Sequence, residues 1–125
     1  MAIKITIPGR PVPKARPRLG MRGKTAYIYT PARTKEYEEF IGWTAKAAGC
    51  KPLEGPVEVE LWCYTKGRAD VDNLSKSILD GLNRIAFEDD SQVVDLHVHK
   101  RKVKADERVE IMIREAGPWT TTATK

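Results

Sequence analysis

The chain has 125 residues, with 22 lysines and arginines against 17 aspartates and glutamates, for a formal net charge of +5. Its 41% hydrophobic and 31% charged residues are ordinary for one globular domain, which excludes collagen-like and disordered classes and leaves no room for a second conventional core. No run of about 18 apolar residues occurs and the N-terminus carries no apolar signal core, so the sequence predicts no membrane segment and a cytoplasmic location.

Residues 2–7, AIKITI, alternate with Ile3, Ile5 and Ile7 on one side and predict a first strand. From Arg10 to Lys24 the segment holds Arg10, Lys14, Arg16, Arg18, Arg22 and Lys24 and no acid. Pro11, Pro13, Pro17, Gly20 and Gly23 make it a poor helix and a poor central strand, so a basic loop is expected, with these six cations facing DNA phosphates. Residues 25–29, TAYIY, predict a second strand. A helix then opens at Thr30 and Pro31, with Tyr37, Phe40, Ile41 and Thr44 at helical spacing and Gly49 as its stop.

Residues 57–65, VEVELWCYT, alternate as a half-buried strand. Asp72 can cap a second helix through Ala86, with an apolar stripe of Leu74, Ile78, Leu82 and Ile85. Strands follow at Val94–Val98 and Val109–Ile113. The expected fold is α+β, a two-layer sandwich of a mixed β-sheet with two main helices, in the order ββαβαββ. One domain spans residues 1–116 and a flexible tail residues 117–125. Cys50 and Cys63 show no zinc or disulfide spacing and are read as small reduced hydrophobes.

The stretch RADVDNLSK, residues 68–76, carries the chemistry. In an extended segment residues two apart project to one side, so Asp70 and Asp72 can aim at one point. Facing carboxylates repel unless a cation intervenes, and Mg²⁺ or Mn²⁺ suits such hard oxygen donors. Lys76 and Asp80 follow Asp72 at steps of four, along one helical stripe. A simpler reading makes these a surface ladder of ion pairs with a good helix cap. Glu88, Asp89 and Asp90 read in isolation as a polar turn. Asp95, His97 and His99 share a strand face and could ligate a transition metal, although strand alternation alone explains them. Tyr27, Tyr29 and Trp62 could stack on unpaired bases, or simply pack, and Tyr37 and Trp43 are expected in the packing of the first helix.

RADVDNLSKSILDGLNRIAFEDDSQVVD resembles the RusA family of Holliday-junction resolvases, whose signature is D-x-D-N-L-x-K, a helix, and D-D-x-Q-V-x-D. The PGRPVPKARPR opening and the overall length are also similar to many members. The resemblance implies that Asp70, Asp72 and Asp90 are metal-binding catalytic carboxylates, with Lys76 as an accessory catalytic lysine, and that Asp89 and Asp95 fill less defined motif positions. It further implies a homodimeric, metal-dependent endonuclease, commonly phage or prophage encoded, acting on four-way DNA junctions in recombination and repair.

Geometry raises an obstacle. A straight helix over residues 73–86 would be about 21 Å long, and the four residues leading back to Asp90 span at most about 14 Å. The helix must be shorter or bent near Gly81, or the site must be completed across a dimer, which is the expected solution. Two other functions fit parts of the sequence. A noncatalytic nucleic-acid-binding module would explain the charge but not the aspartates, and a metal-dependent nucleotide phosphohydrolase would explain the aspartates but lacks a phosphate-cradling loop.

Overall fold

The computed structural model describes residues 2–117. A four-stranded sheet runs in the order β1 (Ala2–Pro8), β6 (Arg108–Glu115), β4 (Val57–Thr65) and β5 (Val93–Lys102). β6 is antiparallel to both neighbours and β4 is parallel to β5, so the sheet is mixed, as expected. The parallel pair demands a crossover, supplied by α2 (Val71–Leu82).

The alternation in β4 decides the layers. Val57, Val59, Leu61 and Cys63 are buried, together with Ile5 and Ile7 of β1 and Val109, Ile111 and Ile113 of β6. They pack against Tyr37, Ile41 and Ala45 of α1 (Ala32–Ala47) and against Leu74, Ile78 and Leu82 of α2. One sheet face is thus covered by two helices, which is the predicted two-layer sandwich. The helices approach closely at Gly81, where an added Cβ would lie 2.8 Å from Ile41 Cβ and 2.9 Å from the Glu38 carbonyl oxygen. That contact brings Glu38 of α1 beside Asp80 of α2.

The structure corrects several expectations. The segment read as a basic loop contains β2 (Arg18–Arg22), which pairs with β3 (Thr25–Tyr29) in a separate hairpin. All three prolines lie before β2, and Gly23, at φ +63, opens a two-residue turn that favours glycine there. The element order is therefore βββαβαββ, not ββαβαββ. Pro31, not Thr30, caps α1, and Trp43 is 72% exposed instead of packed. β5 runs from Val93 through Lys102, past the strand predicted at Val94–Val98. The tail predicted at residues 117–125 lies outside the described residues, apart from Gly117.

α2 also begins and ends earlier than predicted. Asp70 is its N-cap and Leu82 its last residue, with Arg84 left-handed at φ +67 just beyond. A helix of 12 residues is about 18 Å long. Its early end lets Phe87 turn into the core and sends the chain back along the helix.

Candidate active site

Asp70 and Asp72 stand at the N-terminus of α2, but in different settings. Asp70 has extended backbone and accepts the first helical bond on its carbonyl, from Leu74 N–H at 3.0 Å. Asp72 is inside the first turn, so strand alternation does not bring the two carboxylates together. Aspartate caps helices well at either position, and tertiary ties select Asp70. Lys100 Nζ donates to the Ala69 carbonyl at 2.9 Å, fixing the residue before the cap. Lys14 N–H donates to the Asn73 carbonyl at 2.8 Å, fixing the first turn.

Asp70 makes no side-chain cap bond, although an aspartate here ordinarily accepts from the second or third helical amide. Neither it nor the Asp72 carboxylate has a hydrogen-bond or ion-pair partner among the described residues. Two exposed acids thus stand unpaired among the described residues at the positive end of a helix dipole.

Further along α2 the charges interlock. Lys76 Nζ lies 3.0 Å from Asp80 Oδ1, the expected four-residue step, and 4.0 Å from Asp90 Oδ2. Asp80 Oδ2 in turn meets Lys14 Nζ at 2.9 Å, and Lys14 meets Glu38 at 2.7 Å. Burial opposes charge on Asp80, but the hydrogen bonds from Lys14 and Lys76 win and hold its carboxyl below the usual range. Burial likewise opposes charge on Lys14, and its bonds to Glu38 and Asp80 raise its pKa in spite of it. The shortened helix brings Asp90 to Lys76, in the second turn of α2, within one chain; Asp70, Asp72 and Asp90 are not gathered into one cluster among the described residues.

The turn that carries Asp90 is built for that purpose. Asp89 accepts from Ser91 N–H at 3.0 Å and caps a single 3₁₀ turn over Asp90–Gln92. Gln92 Oε1 accepts from the amides of Glu88 and Asp89, each at 2.8 Å, and its Nε2 donates to the carbonyls of Leu53 and Gly55, each at 2.8 Å. Asp89 and Gln92 therefore spend their polar atoms on the backbone. Asp90 is left presenting its carboxylate. The Ser91 bonds hold the Asp89 carboxyl below its usual range, consistent with a structural cap.

The six basic candidates divide into two groups. Arg10 pairs with Glu107 at 2.9 Å and Lys14 is engaged as above. Arg16, Arg18, Arg22 and Lys24 are exposed and form no ion pair among the described residues. The Lys14 segment is itself docked on α2, where Ser77 Oγ donates to the Val12 carbonyl at 2.6 Å. It is also docked on α1, where Ala15 N–H donates to Thr34 Oγ1 at 3.3 Å.

The remaining candidates lie elsewhere. His99 Nε2 is 2.7 Å from Glu60 Oε2 and stacks on Trp62 on the sheet face away from the helices. His97 and Asp95 are exposed on the edge strand β5, and no Asp95–His97–His99 metal site forms among the described residues.

Sequence reasoning missed Glu107, Gln92 and Lys100 as organising residues. Gln92 stood in the quoted motif, but its carbonyl partners are 39 and 37 positions away. Glu107 gathers Lys66 N–H, Arg10 and Thr65 at the end of the sheet, and nothing local marks it.

As donors, Asp70, Asp72 and Asp90 offer only hard carboxylate oxygens, the chemistry Mg²⁺ and Mn²⁺ prefer. Among the described residues no three acidic, histidine or cysteine side chains are already gathered as a metal cage. The family model for endodeoxyribonuclease RusA matches residues 8–114. The chain belongs to the RusA family. This RusA-family chain is 33% identical over 137 residues to the uncharacterized protein YqaN of Bacillus subtilis strain 168, a match covering 90% of the chain and 96% of YqaN. It is 40% identical over 68 residues to the crossover junction endodeoxyribonuclease RusA of Escherichia coli K12 and to that of Enterobacteria phage 82. Those matches cover 52% of this chain and 57% of each relative. Among the described residues of this RusA-family member, no helix is long and apolar enough to cross a membrane.

Proposed function

We propose that this chain is a divalent-metal-dependent endonuclease that resolves four-way DNA junctions by paired symmetric nicks, acting as a cytoplasmic homodimer. One observation supports the reading: two acids at the start of α2 have no side-chain partner among the described residues, while a turn held by Gln92 returns a third, Asp90, to the same helix. Asp70, Asp72 and Asp90 would hold the ion, Mg²⁺ or Mn²⁺. When bound, it supplies an activated water and a counter-charge for the departing 3′ oxygen.

The other side chains bind and orient. Lys76, 54% exposed and held between Asp80 and Asp90, directs its ammonium to negative charge on the scissile phosphate. Arg16, Arg18, Arg22 and Lys24 neutralise neighbouring phosphates, giving affinity that falls with salt and does not depend on base sequence. A twofold dimer supplies two such sites to a substrate that is itself symmetric.

A labelled four-way junction incubated with and without Mg²⁺ tests this directly. Paired nicks that require Mg²⁺ and vanish in Asp70→Asn support it. Binding without cutting would favour a noncatalytic DNA-binding module, and nucleotide hydrolysis beside an intact junction would favour a phosphohydrolase.

A further inference from the structure

The β2–β3 hairpin projects from the domain with a use that packing does not explain. Among the described residues its strands hydrogen-bond only to each other, and nine of their ten residues are exposed. An isolated two-stranded hairpin is marginal in water, so an arm of this kind reaches full order on a partner. The pairing Gly20 with Tyr27 and Arg18 with Tyr29 puts two aromatic rings and two arginines, Arg18 and Arg22, on one face.

Gly20 explains how that face is shaped. A Cβ there would lie 2.6 Å from Tyr27 Cζ, so the ring lies across the bare backbone of the opposite strand with its other side outward. Tyr29 stands 5.7 Å away, centroid to centroid, and the Arg22 guanidinium lies 5.6 Å from the Tyr27 ring. Both tyrosines keep about two fifths of their surface exposed, at 42% and 41%. They form a platform rather than a core.

Charge selects the partner. No acidic residue precedes Glu36 in the sequence, and although Arg10 and Lys14 are paired, the arm itself carries Arg16, Arg18, Arg22 and Lys24 without an ion pair among the described residues. A second copy would repel such an arm, whereas a polyanion would be drawn to it. Aromatic rings flanked by arginines match a nucleic acid strand whose bases are unstacked, since each base offers a π-face and each link a phosphate.

We propose that the Tyr27–Tyr29 face of this hairpin stacks on an unpaired or unstacked base at the branch of the DNA, with Arg18 and Arg22 on the adjoining phosphates. This deepens the resolvase reading and rests on it for the identity of the DNA. It makes branch selectivity a property of the arm, separate from the aspartates that cut.

The test uses the full chain in metal-free buffer and four-way junctions carrying 2-aminopurine either at the branch or within one arm. Wild-type binding should change fluorescence at the branch position only. Tyr27→Ala should abolish that change and weaken junction binding about tenfold, while linear duplex binding weakens less than twofold. Tyr27→Trp should retain both. Arg18→Gln should weaken junction and duplex alike. Because nine of the ten hairpin strand residues are exposed, these variants are expected to keep the fold, which circular dichroism checks. Equal fluorescence and affinity for wild type and Tyr27→Ala would overturn the stacking site, even where Mg²⁺-dependent cutting persists. A Tyr27-dependent branch signal from a protein that never cuts would instead uphold the arm and defeat the resolvase reading.

Discussion

Asp90 Oδ2 lies 4.0 Å from Lys76 Nζ, although the whole second half of α2 and the turn beyond it separate the two residues in sequence. The lysine is anchored from the other side by Asp80, so its ammonium bridges the helix and the returning chain. Exposed ion pairs of this kind contribute little to stability, commonly less than about 1 kcal/mol. Lys76→Gln should therefore melt within a few degrees of wild type and lose about 100-fold in junction cutting. A large drop in melting temperature with cutting preserved would make the lysine a structural strut.

Gln92 is the opposite case. Its amide serves four backbone groups, two in its own turn and two in the distant segment at Leu53 and Gly55, and an apolar replacement leaves them without that partner. Gln92→Ala should destabilise the fold by about 1–3 kcal/mol, measured by denaturant unfolding. It should also reduce cutting under conditions where the protein remains folded, because the Asp90 turn loses its anchor. Unchanged stability would show that water replaces the amide without penalty.

Gly81 sets the spacing of the two helices. With Ile41 Cβ at 2.8 Å and the Glu38 carbonyl at 2.9 Å from any added Cβ, Gly81→Ala must push α1 and α2 apart. A loss of about 1–3 kcal/mol is expected. Separation of the helices would also lengthen the Glu38–Lys14–Asp80 chain, so cutting should fall along with stability.

Glu107 provides a pH signature. The Lys66 amide, followed by Arg10 and Thr65, holds its carboxyl down to about 2, from an ordinary 4.5. The folded-state value is the lower one, so its stabilisation is complete above pH 4.5 and disappears as pH falls toward 2. Glu107→Gln should lower the melting temperature near neutral pH, and the gap from wild type should close across that acid window. A gap that stays constant down to pH 2 would mean the charge is not responsible.

Much of this fold was legible because burial enforces period. β4 alternates without interruption, and the stripe Leu74, Ile78 and Leu82 sits in the core as read. Boundaries were less legible where two residues compete for one role. Asp70 and Asp72 both suit a cap, and the choice is made by Lys100 and by Lys14, which are remote in sequence. The hairpin was hidden because a two-stranded arm with no core face carries no burial pattern. The sequence did not show that α2 would end at Leu82, just before a left-handed Arg84, and let the chain fold back to place Asp90 near Lys76.

Binding of Mn²⁺ to the full chain, followed by electron paramagnetic resonance alongside junction cutting, tests the proposed three-carboxylate site most directly. Asp70→Asn, Asp72→Asn and Asp90→Asn should each weaken Mn²⁺ binding at least tenfold and abolish cutting, with melting temperatures near wild type. Full-affinity Mn²⁺ binding and normal cutting by Asp90→Asn would contradict the convergence of these three side chains on one ion.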